Sequence, residues 1–239
     1  MTKKNIVITG GSSGIGREIA QLLTGTSVPE YKVVIIGRSE EKLKLVQEEI
    51  NGTLNSKGEC HFISGDTSSD TDVERMFANT MVILEGRIDG IILNAGVGKF
   101  GLCEDLTVSD FDITFGTNVR GVFLWLRLVV PCMKRQECGQ IIVTSSNLGV
   151  KTASRCCLYS ASKFAVQSMV GCLRAELVGT GVKAATINPG SVDTPWFDGR
   201  DVDRTKMLQA LDVAVAAKLI LEQGATSDID MILLNPGKQ

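Results

Sequence analysis

The sequence contains a single histidine, His61, and no Cys-x-x-Cys pair among its seven cysteines. Zinc centres draw on several His and Cys ligands at fixed spacings, so no zinc site is expected and His61 reads as structural. The cysteines, at 60, 103, 132, 138, 156, 157 and 172, are odd in number and match no disulfide framework. Reduced intracellular thiols are the expectation, with vicinal Cys156 and Cys157 the one redox-sensitive candidate. Proline is scarce, at five residues, and no linker, repeat or composition break divides the chain. Residues 1–239 are therefore expected to form one domain. Excess positive charge is also missing. The 25 Lys and Arg are scattered against 27 Asp and Glu, for a net charge of −2. That balance gives no nucleic-acid footprint. No run reads as a signal peptide or a bilayer span, so a cytoplasmic protein without a membrane partner is expected.

What is present is an alternation. Short apolar runs at 5–9, 32–37, 60–64, 88–94, 140–145, 182–188 and 229–234 alternate with helical patterns near 14–25, 39–51, 69–85, 107–135, 157–179 and 209–222. Most of the runs are continuous rather than alternating, as in strands buried on both faces. The order predicts an α/β fold of the Rossmann type: a doubly wound, mostly parallel seven-stranded sheet with helices on both faces.

The first run leads into Thr9-Gly10-Gly11-Ser12-Ser13-Gly14-Ile15-Gly16. Glycines let the backbone turn sharply and approach a ligand, and the helix that follows points its N–H groups at a diphosphate. The Gly-Lys-Ser/Thr of a P-loop is missing, which argues against a nucleoside triphosphatase. The second run ends Gly37-Arg38-Ser39. A carboxylate there would serve the ribose hydroxyl of NAD, whereas a guanidinium binds a 2′-phosphate. Arg38, helped by Ser39, thus favours NADP(H), with NAD(H) the alternative.

Tyr159 and Lys163 stand four apart in a helical stretch, so they share one face. An ammonium near a phenol favours the phenolate, and a phenol so tuned can act as an acid in reduction or a base in oxidation. Together with the glycine turn, Asn94-Ala95-Gly96, Asn118, Ser146, the run Tyr159-Ser-Ala-Ser-Lys163 and Asn188-Pro189-Gly190, this pair resembles the short-chain dehydrogenase/reductase family over nearly the whole chain. The resemblance implies NADP(H)-dependent hydride transfer on CH–OH donors, interconverting a small carbonyl compound and its alcohol. It implies Tyr159 as general acid/base, Ser146 holding the substrate oxygen, and Lys163 on the ribose hydroxyls. Asn118 would complete a proton relay through water. Ser145 is the rival of Ser146, and Gly149 three residues on favours Ser146. By position, Gly10, Ser12, Ser13, Gly14, Ile15 and Gly16 form the diphosphate turn. Asp66 and Thr67 meet the adenine, and Asn94, Ala95 and Gly96 the adenosine ribose side. Pro189, Gly190, Val192 and Thr194 meet the nicotinamide.

The chain departs from the family pattern at Leu93, where asparagine is usual, and in a short, aromatic and charged segment at 191–206 that reads as a small substrate lid. The C-terminus, 231–239, lacks the Asp-Gly-Gly of many fatty-acid-type reductases. Helices 107–135 and 157–179 are apolar on more than one face, which with the resemblance implies a homodimer or homotetramer. Substrate-pocket candidates are 98–102, 147–148, 154–155 and 196–204, with Arg155, Arg200 or Arg204 as receivers of an acidic substrate. A dinucleotide-binding sensor with little turnover and a 3-oxoacyl thioester reductase stay open as alternatives.

Overall fold

The computed structural model describes residues 3–25, 30–53 and 58–237; the terminal residues 1–2 and 238–239, which entered the sequence expectations, lie outside them. In chain order the elements are β1 (Lys4–Thr9), α1 (Gly14–Thr24), β2 (Tyr31–Gly37), α2 (Glu40–Gly52), β3 (Glu59–Ser64), α3 (Asp70–Ile83) and β4 (Gly90–Leu93). There follow α4 (Val108–Phe115), a π-helical turn (Gly116–Arg120), α5 (Gly121–Gln136), β5 (Gly139–Thr144), α6 (Cys157–Glu176) and β6 (Val182–Pro189). The short strands β7 (Val192–Asp193) and β8 (Leu208–Gln209), then α7 (Ala210–Leu221) and β9 (Met231–Leu234), complete the described chain.

The main sheet has seven strands in the order β3-β2-β1-β4-β5-β6-β9, and every neighbouring pair is parallel. The continuous apolar runs are explained by the two cores. Side chains of one strand alternate between faces. Val7, Val34, Ile91, Ile141 and Val143 pack in a cluster with Met76, Trp125, Val129, Val166 and Val170 of α3, α5 and α6. Ile6, Ile8, Val33, Ile35, Ile92 and Ile142 pack in the other, with Ile19, Leu23, Leu43, Val213 and Ile220 of α1, α2 and α7. Leu93 belongs to the first cluster, so the departure at this position serves packing.

The strand order reverses between β1 and β4. Ligands of open parallel sheets bind outside the carboxyl ends of the strands at such a point. The segment after β6 folds back over this end. Its strands β7 and β8 pair with each other (Val192 with Leu208, Asp193 with Gln209) and hold a short helical turn, Pro195–Phe197, between them.

The stretch expected as one helix over 107–135 is interrupted. Five residues form a π-turn, which carries Asn118 inward and starts a new α phase at Gly121. By length and composition the combined stretch, Val108–Gln136, is long and apolar enough to cross a membrane. Val122, Trp125, Val129 and Met133 are instead buried in the first cluster, as befits a core helix. On its other side Phe111, Ile113 and Phe123, with Phe164 of α6, remain exposed.

Candidate active site

A cavity of about 560 Å³ opens at the carboxyl ends of the strands. One end is lined by residues that follow β1, β2 and β3, the other by residues that follow β4, β5 and β6.

The first end is bare backbone beside a helix start. Gly10 has φ +70°, and a Cβ on it would lie 2.9 Å from the Ala95 Cα. Gly16 sits one turn into α1, where a Cβ would lie 2.3 Å from the Gly10 carbonyl oxygen. The turn can close onto the helix only without that carbon. Gly16→Ala is accordingly expected to lower the urea unfolding midpoint, by a stability loss of about 1–3 kcal/mol. Serines and a threonine cap α2, α3 and α4 by accepting backbone N–H groups, whereas Ser13 caps nothing and the first turn of α1 holds no acid. The positive end of α1 is thus left open toward the cavity, where an anion finds N–H donors. Arg38 lines the same end and pairs with no carboxylate among the described residues. Thr9 Oγ1 accepts the backbone N–H groups of Asn94 and Ala95, at 3.0 and 3.1 Å, and fixes the chain as it leaves β4. Asp66 accepts from the Ser68 backbone and hydroxyl, both at 2.8 Å, which sets its carboxyl at the rim. A bare glycine turn and an uncapped helix start, with a guanidinium beside them, fit the anionic diphosphate of a dinucleotide.

At the other end Ser146 leaves β5 and lines the cavity together with Tyr159 of α6; its hydroxyl accepts from Leu148 N at 3.1 Å and lies 3.4 Å from the Pro189 carbonyl. Ser145, the rival, points away: its Oγ donates to the Lys163 carbonyl at 3.1 Å and fills the space a side chain at 149 would need. Lys163 is buried, donates to the Thr144 carbonyl at 2.9 Å, and stands 5.6 Å from the centre of the Tyr159 ring. Asn118 is buried in the π-turn. Its Oδ1 accepts from Val97 N and its Nδ2 donates to Val97 O, each at 2.8 Å, and Nδ2 also reaches Ser162 Oγ at 3.0 Å. The amide therefore holds the strand exit to α6. Gly96 lies between this amide and the Lys163 ammonium, 3.4 and 3.6 Å from where its Cβ would be.

The titrations differ from the sequence expectation. Burial pushes the Tyr159 phenol up to about 12, with Ser146 pulling the other way. Burial also brings the Lys163 ammonium down to about 8. Desolvation disfavours both charged forms, and it sets the direction of both shifts.

Most residues expected at the cofactor line the cavity: Gly10, Ser12, Ser13, Gly14, Ile15, Arg38, Asp66, Thr67, Asn94, Ala95, Gly96, Pro189, Gly190, Val192 and Thr194. Ser39 and Gly16 do not. Ser39 is spent on capping α2, accepting from Lys42 N at 3.3 Å, and Gly16 is the buried packing point of the turn. Of the arginines, Arg155 lies on the surface in a left-handed conformation, with its carbonyl accepting from Gly101 N. Arg204 is bound to Asp193 and Asp198, at 2.5 and 2.9 Å. Arg200 alone of the three lines the cavity. His61 stands beside Glu59 on β3, 3.5 Å away. The Cys157 sulfur lies 3.7 Å from that of Cys103. That contact and burial hold the Cys157 thiol above its usual value, and burial does the same at Cys156, so neither favours the reactive thiolate. Sequence reasoning missed Thr144, Val97 and Thr117 in the lining, which carry no chemical signature of their own.

The short chain dehydrogenase family model matches residues 4–204. An uncharacterized oxidoreductase of Staphylococcus saprophyticus is 32% identical over 233 residues, covering 98% of this chain and 97% of its own. Among solved structures, an alcohol dehydrogenase from the archaeon Thermococcus sibiricus, complexed with 5-hydroxy-NADP, superposes with a TM-score of 0.87 at 25% identity, covering 98% and 96% of the two chains. A 3-ketoacyl-(acyl-carrier-protein) reductase from Brucella melitensis, complexed with NADH, does so at 0.86 and 26%, covering 98% and 97%. The seven-stranded sheet, the dinucleotide end of the cavity and these matches agree, and the chain belongs to the short-chain dehydrogenase family of oxidoreductases.

Proposed function

We propose that the protein is an NADP(H)-dependent carbonyl reductase or alcohol dehydrogenase acting on a small molecule, with Tyr159 as general acid/base. The observation that carries this reading is the convergence of Tyr159, Ser146 and Lys163 at one end of a cavity whose other end fits a dinucleotide. The nicotinamide would supply or accept the hydride. The chain's own groups do the rest. Ser146 holds the carbonyl oxygen, and Tyr159 Oη gives it a proton as negative charge develops there. In the oxidative direction the same oxygen takes the proton back. Lys163, 5.6 Å from the centre of the tyrosine ring, would hold the ribose hydroxyls of the bound cofactor. Asn118 positions α6 against the strand exit.

A sensor of the cofactor would have no use for an acid/base tyrosine beside a serine hydroxyl, which disfavours the binding-module alternative. The whole chain acts as one unit in this reading, residues 191–206 are its lid, and a cytoplasmic location follows from the cofactor pool it uses. The exposed Phe111, Ile113, Phe123 and Phe164 favour a homo-oligomer through α4, α5 and α6.

The direct test is absorbance at 340 nm with NADPH, then NADH, across aldehydes, ketones, keto acids and 3-oxoacyl thioesters. Turnover with NADPH preferred is the expected result; tight cofactor binding without turnover of any carbonyl would return the sensor reading. Arg38→Asp is expected to invert the preference, lowering kcat/KM with NADPH by about 10- to 100-fold through loss of a charge-assisted pair. An unchanged NADPH/NADH ratio in that variant would remove Arg38 from the 2′-phosphate.

A further inference from the structure

We infer that the carbonyl substrate is a flat, conjugated ring compound bearing an anionic group on the side remote from the reacting carbon. This rests on the reductase reading above and names the substrate class of that site.

Two loops far apart in sequence bring aromatic rings onto the catalytic tyrosine. Phe100 lies 5.3 Å from the Tyr159 ring centre and Trp196 5.8 Å, and the two meet edge to face at 6.4 Å. Gly98 makes that meeting fit, since a Cβ there would lie 2.6 Å from the Phe100 ring and 2.7 Å from the Trp196 ring. Both rings are partly exposed and line the cavity. A substrate whose oxygen reaches Ser146 and Tyr159 must rest its body on these faces. Offset or edge-to-face contact with a ring adds to plain burial, which a saturated chain would not gain.

The charge is set by Arg200. Its guanidinium carbon stands 5.0 Å from the Phe100 ring centre, 5.9 Å from that of Trp196 and 5.6 Å from that of Phe197. It is therefore placed one ring beyond the reacting tyrosine. No described carboxylate pairs with it, whereas Arg204, four residues on, holds two. The only acid among the described lining residues, Asp66, belongs to the dinucleotide end. A guanidinium stacked on rings and left with free N–H donors fits a carboxylate or a comparable anion.

The test uses the full chain saturated with NADP+ or NAD+ and reads tryptophan emission. The chain has two tryptophans, of which Trp125 is wholly buried and Trp196 borders the site, so a bound ring perturbs Trp196. Terephthalate is expected to quench this emission saturably. Trans-cyclohexane-1,4-dicarboxylate, of equal charge, is expected to bind about 10-fold more weakly. Arg200→Gln, at an exposed position whose folding is checked by its urea midpoint, is expected to weaken terephthalate by about 10-fold. In turnover, 4-carboxybenzaldehyde should exceed trans-4-formylcyclohexanecarboxylate in kcat/KM by a like factor. Equal affinity for the two dicarboxylates would overturn the ring, and unchanged affinity in Arg200→Gln would overturn the anion. Turnover of small aliphatic ketones with no terephthalate binding would sink this inference and leave the reductase standing. Terephthalate binding with no turnover of any carbonyl would uphold the subsite and sink the reductase.

Discussion

Tyr159→Phe is expected to lower kcat by about 100- to 10,000-fold while leaving cofactor affinity within a factor of about two, because proton transfer by a positioned group contributes on that scale. The substitution removes one oxygen and keeps the ring that packs against Phe100 and Trp196. Ser146 keeps its own partners, accepting from Leu148 N at 3.1 Å and lying 3.4 Å from the Pro189 carbonyl. Cofactor titration by fluorescence and turnover at 340 nm separate the two effects. Residual turnover above a tenth of wild type would exclude Tyr159 as the proton donor. The pH dependence has a definite sign. A phenol pushed up to about 12 stays protonated through neutral and mildly alkaline pH. Reduction, which needs the acid, should hold its rate from pH 7 to 9. Oxidation, which needs the phenolate, should rise with pH over the same range. The Tyr159→Phe variant should lose both profiles.

The fold was legible because both faces of the sheet are covered. A strand buried on two sides is apolar through its centre, as Ile6–Ile8 of β1, Val33–Ile36 of β2, Ile91–Leu93 of β4 and Ile141–Val143 of β5 show. The edges of the strands were less legible, since side chains take over backbone partners there. The run at 88–94 was expected as a strand, yet Ile88 N donates to Gln136 Oε1 and Asn94 N to Thr9 Oγ1, so only Gly90–Leu93 joins the ladder. Ile229 N likewise donates to Gln223 Oε1, and β9 begins at Met231. The π-turn was hidden because an apolar pattern averaged over 29 residues does not register a change of helical phase.

At the site, residue types were visible and partnerships were not. Tyr159, Lys163 and the glycine turn announce themselves by spacing along one element. The meeting of Phe100 with Trp196 joins two loops by tertiary folding alone, and nothing local encodes it. Arg200 and Arg204 look alike in sequence. The folded chain spends Arg204 on Asp193 and Asp198 and leaves Arg200 to the cavity. The sign of the Tyr159 shift is hidden in the sequence for a related reason. Spacing places an ammonium near the phenol, but the burial that sets the shift is a property of the assembled core.

Lys163→Met should remove activity on the scale of the tyrosine variant and, unlike it, change how stability depends on pH. The ammonium is brought down to about 8 by burial, against an ordinary value of 10.5. Between those two values the unfolded chain holds a proton that the folded chain does not, so folding is favoured as pH rises across the window. Below pH 8 both states are protonated and the folded chain bears the full cost of a buried charge, about 3 kcal/mol. Above 10.5 neither is protonated and the cost is gone. Methionine titrates nowhere, so this part of the wild-type curve vanishes in the variant. Methionine also deprives the Thr144 carbonyl of its donor, at 2.9 Å in the wild type, which costs about 1–3 kcal/mol at every pH. The two effects nearly cancel at pH 7, where the proteins should unfold at similar urea concentrations. They separate between pH 8 and 10.5, where the wild type should become the more stable by the cost of the lost hydrogen bond. Tyr159 is present in both proteins and drops out of the difference. Unfolding midpoints at pH 7, 9 and 10.5 decide the matter. Parallel curves would mean that Lys163 keeps an ordinary affinity for its proton, and its part in catalysis would then be that of a fixed positive charge.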